Sequence, residues 1–135
     1  MSQRPGENHI VFLIIVGLSA WIMPGAGHFI IKEKKRAVII FVTIILTFLI
    51  GLYLGSIGVI DRVNAKAWYF AQIMNSPAVA VLGHITSNPP GKYQVFGRPN
   101  EIGQYYTSIA GLLNLLCIVN AVYCAHLRRT DSAGV

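Results

Sequence analysis

The densest group of unusual residues is Trp21-Ile-Met-Pro-Gly-Ala-Gly-His28. Pro24 removes a backbone donor and bends a helix. Gly25 and Gly27 carry no side chain, so another backbone can come close. His28 closes the motif about one turn before a run of charges. Two chemistries stay open. The motif is a kinked helix end with an imidazole at the level of lipid headgroups, or it is a polar contact or ligand site. The chain's four histidines also raise haem ligation, which needs two facing imidazoles at similar depth. His28 and His126 are the pair whose positions allow it. The clustered Cys or Cys/His spacing of a structural zinc site is missing. Cys117 and Cys124 lie seven residues apart, roughly 10.5 Å on a helix. That exceeds the limit of about 7 Å for a disulfide, so they read as small packing residues.

Enzyme signatures are also missing: no GxSxG, no HExxH, no phosphate-binding loop. Outside the tails and the basic turn the acids near an apolar run are Asp61 and Glu101, far apart in sequence. No acid lies inside an apolar run, which argues against proton-coupled transport. Asn114 and Asn120 do lie inside one. An unpaired amide there is costly, so Asn114 is expected to bond to another helix, with a substrate contact as the alternative. These residues lead to the expectation of a non-enzymatic protein with no cofactor and no metal.

The elements that must hold these groups follow from composition. Of 135 residues, 54% are hydrophobic and 12% charged, against roughly 25% charged in soluble domains. Mean hydropathy is +0.57. Disorder and a large soluble enzyme are both excluded. Four windows contain no Asp, Glu, Lys or Arg: Asn8–Ile31, Ala37–Ile60, Ala67–Gly91 and Ile102–Leu127. Each exceeds the roughly 20 residues that a helix needs to cross a bilayer. The net charge of +6 sits in clusters beside these windows, chiefly Lys32, Lys34, Lys35 and Arg36. In a membrane protein that marks orientation and an anionic-lipid contact, not nucleic acid.

The expected fold is one all-α integral membrane domain over residues 1–135. Its spans are about 10–31, 37–60 and 102–127, with a polar loop over 86–101. The third window is broken by Asn75-Ser76-Pro77, a helix-start signal. It reads as two short helices, about 67–74 and 77–85, forming a re-entrant or interfacial pair. Four spans are the alternative. With three spans and the basic turn inside, the inner face holds six Lys/Arg and the outer five. The dense cluster in the shortest loop should dominate, which puts the N-terminus outside and the C-terminus inside.

Helices in lipid associate by close packing and hydrogen bonds, so small and polar stripes mark the seams. Span one has Gly17, Ala20, Pro24 and Gly27. Span two has Thr43, Thr47, Gly51, Gly55 and Gly58, with Gly51 and Gly55 a GxxxG pair. The last span has Thr107, Ala110, Asn114, Cys117, Ala121 and Cys124. One packed core is the simplest account, and a GxxxG homodimer is the alternative.

The stretch Trp21–Ala37, WIMPGAGHFIIKEKKRA, resembles a pattern of small bacterial membrane proteins: Trp, two apolar residues, Pro-Gly-x-Gly-His, then a basic turn. The stretch Ile102–Asn120, IGQYYTSIAGLLNLLCIVN, resembles the end of an uncharacterised family from Planctomycetes and related bacteria, closed by an AGLLNLL helix. The first motif is also similar, more loosely, to the two-transmembrane-helix domain family. Phe29-Ile30-Ile31-Lys32 stands where that family has an aromatic residue and Gly. The resemblance implies a bacterial inner-membrane protein with no known activity, and no catalytic residue carries over. The functional expectation is a small accessory subunit or assembly factor, with a membrane-protein partner or a second copy. A small-solute or lipid channel or transporter is the alternative, and a haem-binding electron-transfer subunit the third reading.

Overall fold

A computed structural model describes residues 5–60, 62, 66–87 and 97–133. They form six helices: α1 Pro5–Ile22, α2 Ala26–Ile30, α3 Lys34–Gly55, α4 Lys66–Ile73, α5 Pro77–Ser87 and α6 Arg98–Ala133. A 3-10 turn, Ile57–Val59, follows α3, and no strand occurs among the described residues. Helices α3 and α6 are long and apolar enough to cross a membrane by length and composition. The 22 residues of α3 span roughly 33 Å. Its outward side chains Val38, Ile39, Val42, Leu46 and Leu49 are each more than half exposed. A helix in the centre of a soluble core would bury them.

α3 and α6 run antiparallel with backbones in close approach. A Cβ on Gly51 would lie 2.9 Å from the Thr107 nitrogen, and one on Gly103 would lie 2.8 Å from the Gly51 carbonyl oxygen. The GxxxG pair therefore packs inside the chain, against α6. Ile44, Phe48, Ile60, Val79 and Ala110 fill the core beside this seam.

The first apolar window is not one straight helix. α1 ends at Ile22, and Gly25 turns the chain at φ +85. Its missing Cβ would sit 2.5 Å from the Ala37 carbonyl oxygen, so the turn is closed by steric fit as well as by dihedral angle. α2 then runs back along α1. A Cβ on Gly27 would meet those of Ala20 and Ala121, each at 2.9 Å. Ile31 returns to the cluster of Val16, Ala121 and Ala125, flanked by Phe12. The expected span 10–31 is thus a two-limbed hairpin, because Pro24 and Gly25 reverse the chain and do not merely kink it.

α4 and α5 form a second hairpin, entering from the opposite end. Gly83 on α5 faces the Tyr69 ring on α4. α4 runs parallel to α6: the Ser108 hydroxyl donates to the Trp68 carbonyl at 3.3 Å, and Asn114 bonds to the Met74 carbonyl six residues on. The two hairpin tips meet halfway along the bundle.

Other boundaries also shift. α3 stops at Gly55, short of residue 60, because Ser56 takes φ +62 and the chain turns inward. Val59 and Ile60 are fully buried. α6 is longer than 102–127 and absorbs the end of the expected polar loop, where Pro99 fits a helix's first turn. Of that loop, residues 88–96 lie outside the described residues.

Candidate functional site

The first four N–H groups and last four carbonyls of a helix have no partner within it. Two helices, α1 and α4, end deep inside this bundle, so their terminal carbonyls need donors. Trp21 of the first hairpin donates its indole N–H to the Ile73 carbonyl at 3.1 Å. Ser76 of the second donates its hydroxyl to the Ile22 carbonyl at 3.1 Å. Each tip caps the other. Asn114 on α6 completes the junction. Its Nδ2 donates to the Asn75 and Met74 carbonyls at 2.9 and 3.0 Å and approaches the Ala20 carbonyl at 3.4 Å. The Asn114 side chain is fully buried.

A second tier lies nearer the α3 C-terminus. Gln72 Nε2 donates to Thr107 Oγ1 at 2.8 Å and to the Val59 carbonyl at 3.3 Å. Thr86 donates to the Ile60 carbonyl at 2.7 Å. The unwound end of α3 therefore offers its carbonyls to both limbs of the second hairpin. Among the described residues, four buried amide oxygens accept nothing: Gln72 Oε1, Asn75 Oδ1 and Asn114 Oδ1 around these two tiers, and Asn100 Oδ1 at the start of α6. Both ring nitrogens of His28, a buried side chain, are also without a partner there.

The sequence candidates distribute unevenly over this frame. Ala20, Pro24, Gly27, Gly51, Gly55, Ala110, Asn114 and Ala121 are buried, while Gly17 and Cys117 are half-buried. Thr47 donates to the Thr43 carbonyl on its own helix at 2.7 Å. Asn120 is exposed and accepts from Cys124 within α6. His126 makes its hydrogen bond to His9, at 3.0 Å. Among the described residues no group of three or more His, Cys, Asp or Glu gathers as a metal would need.

The other distinctive region is the end where α1 begins and α6 finishes. Glu33 bridges Arg36 at 3.1 Å and Arg128 at 2.7 Å. Arg128 also donates to the Ile31 carbonyl. Arg129 stacks over the Phe12 ring, 4.8 Å from its centroid. Lys34 and Lys35 stand exposed on the first turn of α3. So the basic turn, the first half of α1 and the end of α6 share one end of the bundle.

Sequence reasoning missed Trp21 as a donor and Gln72 and Asn75 as buried amides; it put Arg128 and Arg129 on the same face as the basic turn without their contacts to Ile31, Glu33 and Phe12. A usable signal existed for the amides. Gln72 lies in the last turn of α4 and Asn75 in the turn just beyond it, and an amide inside an apolar window needs a partner.

The fold and these sites define an all-helical protein with two helices fit to cross a membrane and a polar junction between two opposed hairpins. The chain belongs to a family of unknown function, DUF6677, whose profile matches residues 15–132. Comparison with curated proteins and with solved structures gives no match.

Proposed function

We propose that the protein is a non-enzymatic integral membrane protein acting as a small accessory subunit or assembly factor. In this reading α3 and α6 cross the bacterial inner membrane, and the two hairpins enter it from opposite faces. One observation carries it. The half-buried donors Trp21 and Ser76 and the buried donors Gln72 and Asn114 are all directed at helix-end carbonyls or at neighbouring helices, while the outward faces of α3 and α6 are apolar. Interior polarity that ties helices together and an apolar exterior suit a body that sits in lipid or against other membrane helices.

Orientation follows from charge. The end with Lys32, Lys34, Lys35, Arg36, Arg128 and Arg129 faces the cytoplasm. Because the first window is a hairpin, the N-terminus lies on that same side, not outside. Reporter fusions after residues 34 and 130, and one at the N-terminus, should read cytoplasmic. Fusions after 64 and 95 should read external. An external N-terminal reporter overturns the hairpin placement. Affinity capture from native membranes in mild detergent tests the subunit role, with a stoichiometric membrane partner as the expected result. A lone monomer retained under every mild detergent overturns it.

One observation favours a second reading, a small-solute channel or transporter component. Discontinuous helices meeting near the midplane are a device of transporters, and three unpaired amide oxygens lie at or near such a meeting point. Flux in reconstituted vesicles should then fall when Asn75 is replaced by Ala. Flux that does not change counts against this reading.

A further inference from the structure

Two cavities meet at Ile30 on the outer limb of the first hairpin. One, of about 430 Å³, runs between α2 and α3 and is lined only by apolar residues and glycine, among them Met23, Pro24, Phe29, Val38 and Phe41. Its volume falls within the range of small-molecule pockets, about 300–1,000 Å³. The other, of about 250 Å³, lies between α2, α1 and α6 and is rimmed by Lys32, Arg128 and Arg129 over a floor of Phe12, Ile31 and Ala125. Ile30 belongs to both. An apolar trough and a cationic cup that share the Ile30 wall together have the polarity of one lipid molecule.

This end of the bundle is cationic. Among the described residues this end carries Lys32, Lys34, Lys35, Arg36, Arg128 and Arg129 against Glu33 and Asp131. Glu33 is already engaged by Arg36 and Arg128. Lys34 precedes Val38 by four residues and Phe41 by seven, so it stands on the trough's own face of α3. Lys32 adopts φ +63, a conformation that favours glycine. A lysine stands where the backbone alone would favour glycine.

We propose that this surface binds an anionic phospholipid of the surrounding bilayer. The phosphate rests on Lys32 and Arg129 beside Arg128, and one acyl chain passes over Ile30 into the trough between α2 and α3. The site rests on the membrane reading above and gives it a specific lipid partner. Guanidinium and ammonium groups satisfy a phosphate by charge-assisted hydrogen bonds. The trough supplies no polar group that would reject a hydrocarbon chain.

The test is native mass spectrometry of the full chain released from micelles holding equal amounts of phosphatidylglycerol and phosphatidylcholine. The expected result is at least fivefold preferential retention of phosphatidylglycerol. That preference should vanish in a Lys32→Gln/Arg129→Gln protein, whose changes lie on the surface. An Ala26→Phe protein, which fills the trough, should retain less of either lipid. Its fold is checked by circular dichroism, and a less disruptive Val38→Phe replaces it if it does not fold. Equal retention of the two lipids overturns the proposal, as does an undiminished preference in the charge variant or undiminished retention by a folded trough variant. Alkaline extraction of the membranes separates the two readings. A protein that stays in the membrane yet shows no preference loses only this site, whereas one that is extracted loses the membrane reading itself.

Discussion

An Asn114→Asp protein is expected to lose its cooperative unfolding transition in detergent, with a penalty above about 3 kcal/mol, while retaining much of its helical content. The change keeps the size and shape of the side chain and removes the Nδ2 donor. Three carbonyls, those of Ala20, Met74 and Asn75, then face an oxygen in place of N–H groups. Each unpaired buried group costs roughly 1–3 kcal/mol. A charge in the middle of an apolar bundle costs several kcal/mol more unless it is neutralised. Asn114→Leu lacks the charge and is expected to cost less, about 2 kcal/mol. That figure reflects several bonds of the modest strength measured in membranes, averaging about 0.6 kcal/mol each. Thermal unfolding followed by circular dichroism ranks the three proteins. If the aspartate variant unfolds at the wild-type temperature, Asn114 does not hold the junction.

Gly111→Ala, a change of one methyl group, is expected to cost about 3 kcal/mol. A Cβ at this position would collide with the Ala71 carbonyl and lie 3.3 Å from the Asn75 nitrogen. Both obstacles are backbone, so no side chain can swing aside. Overpacking of a well-filled site typically costs 1–3 kcal/mol. Here the displaced helix also carries the Trp68 and Met74 carbonyls away from Ser108 and Asn114. A useful control is Gly97→Ala, where the nearest atom to a new Cβ is 3.9 Å away but φ is +98. It carries backbone strain alone, of order 1–3 kcal/mol, with no damage to the seam. The Gly111→Ala/Asn114→Leu double variant should be markedly less destabilised than the sum of the singles, because each already releases α4 from α6. Strict additivity would mean that the two sites act independently.

Much of the helical content was legible in the charge-free windows. The break in the third window was legible too, because Asn75 and Ser76 are polar and precede a proline. The chain reverses there within two residues of where the short helices were expected. The equivalent break in the first window was hidden. Pro24-Gly25 has apolar neighbours on both sides, and an apolar run of 22 residues has the same composition whether it crosses or doubles back. Only the left-handed Gly25 and its fit against Ala37 decide the matter, and both depend on α3 being in place. The end of α3 was misjudged for a related reason. Gly55, Ser56 and Gly58 weaken the helix locally, but the gain from unwinding lies in Gln72 and Thr86, which receive the freed carbonyls from a distant segment. Of the junction, Asn114 could be singled out because an amide in an apolar window needs a partner. Which partner it takes is a matter of register between α1, α4 and α6, and register leaves no mark in composition.

The reciprocal capping of the hairpins bears on how the protein is made. The Ala20 carbonyl receives its amide donor from a residue 94 positions later. As the nascent chain leaves the ribosome, both hairpins emerge before the last helix has been synthesised. Until that helix arrives, the tips have only the donors they give each other, and the Ala20, Met74 and Asn75 carbonyls lack the Asn114 amide. Synthesis of α6 is therefore the event that locks the earlier segments. A product terminated before α6 would present those tips to proteases that survey newly made chains.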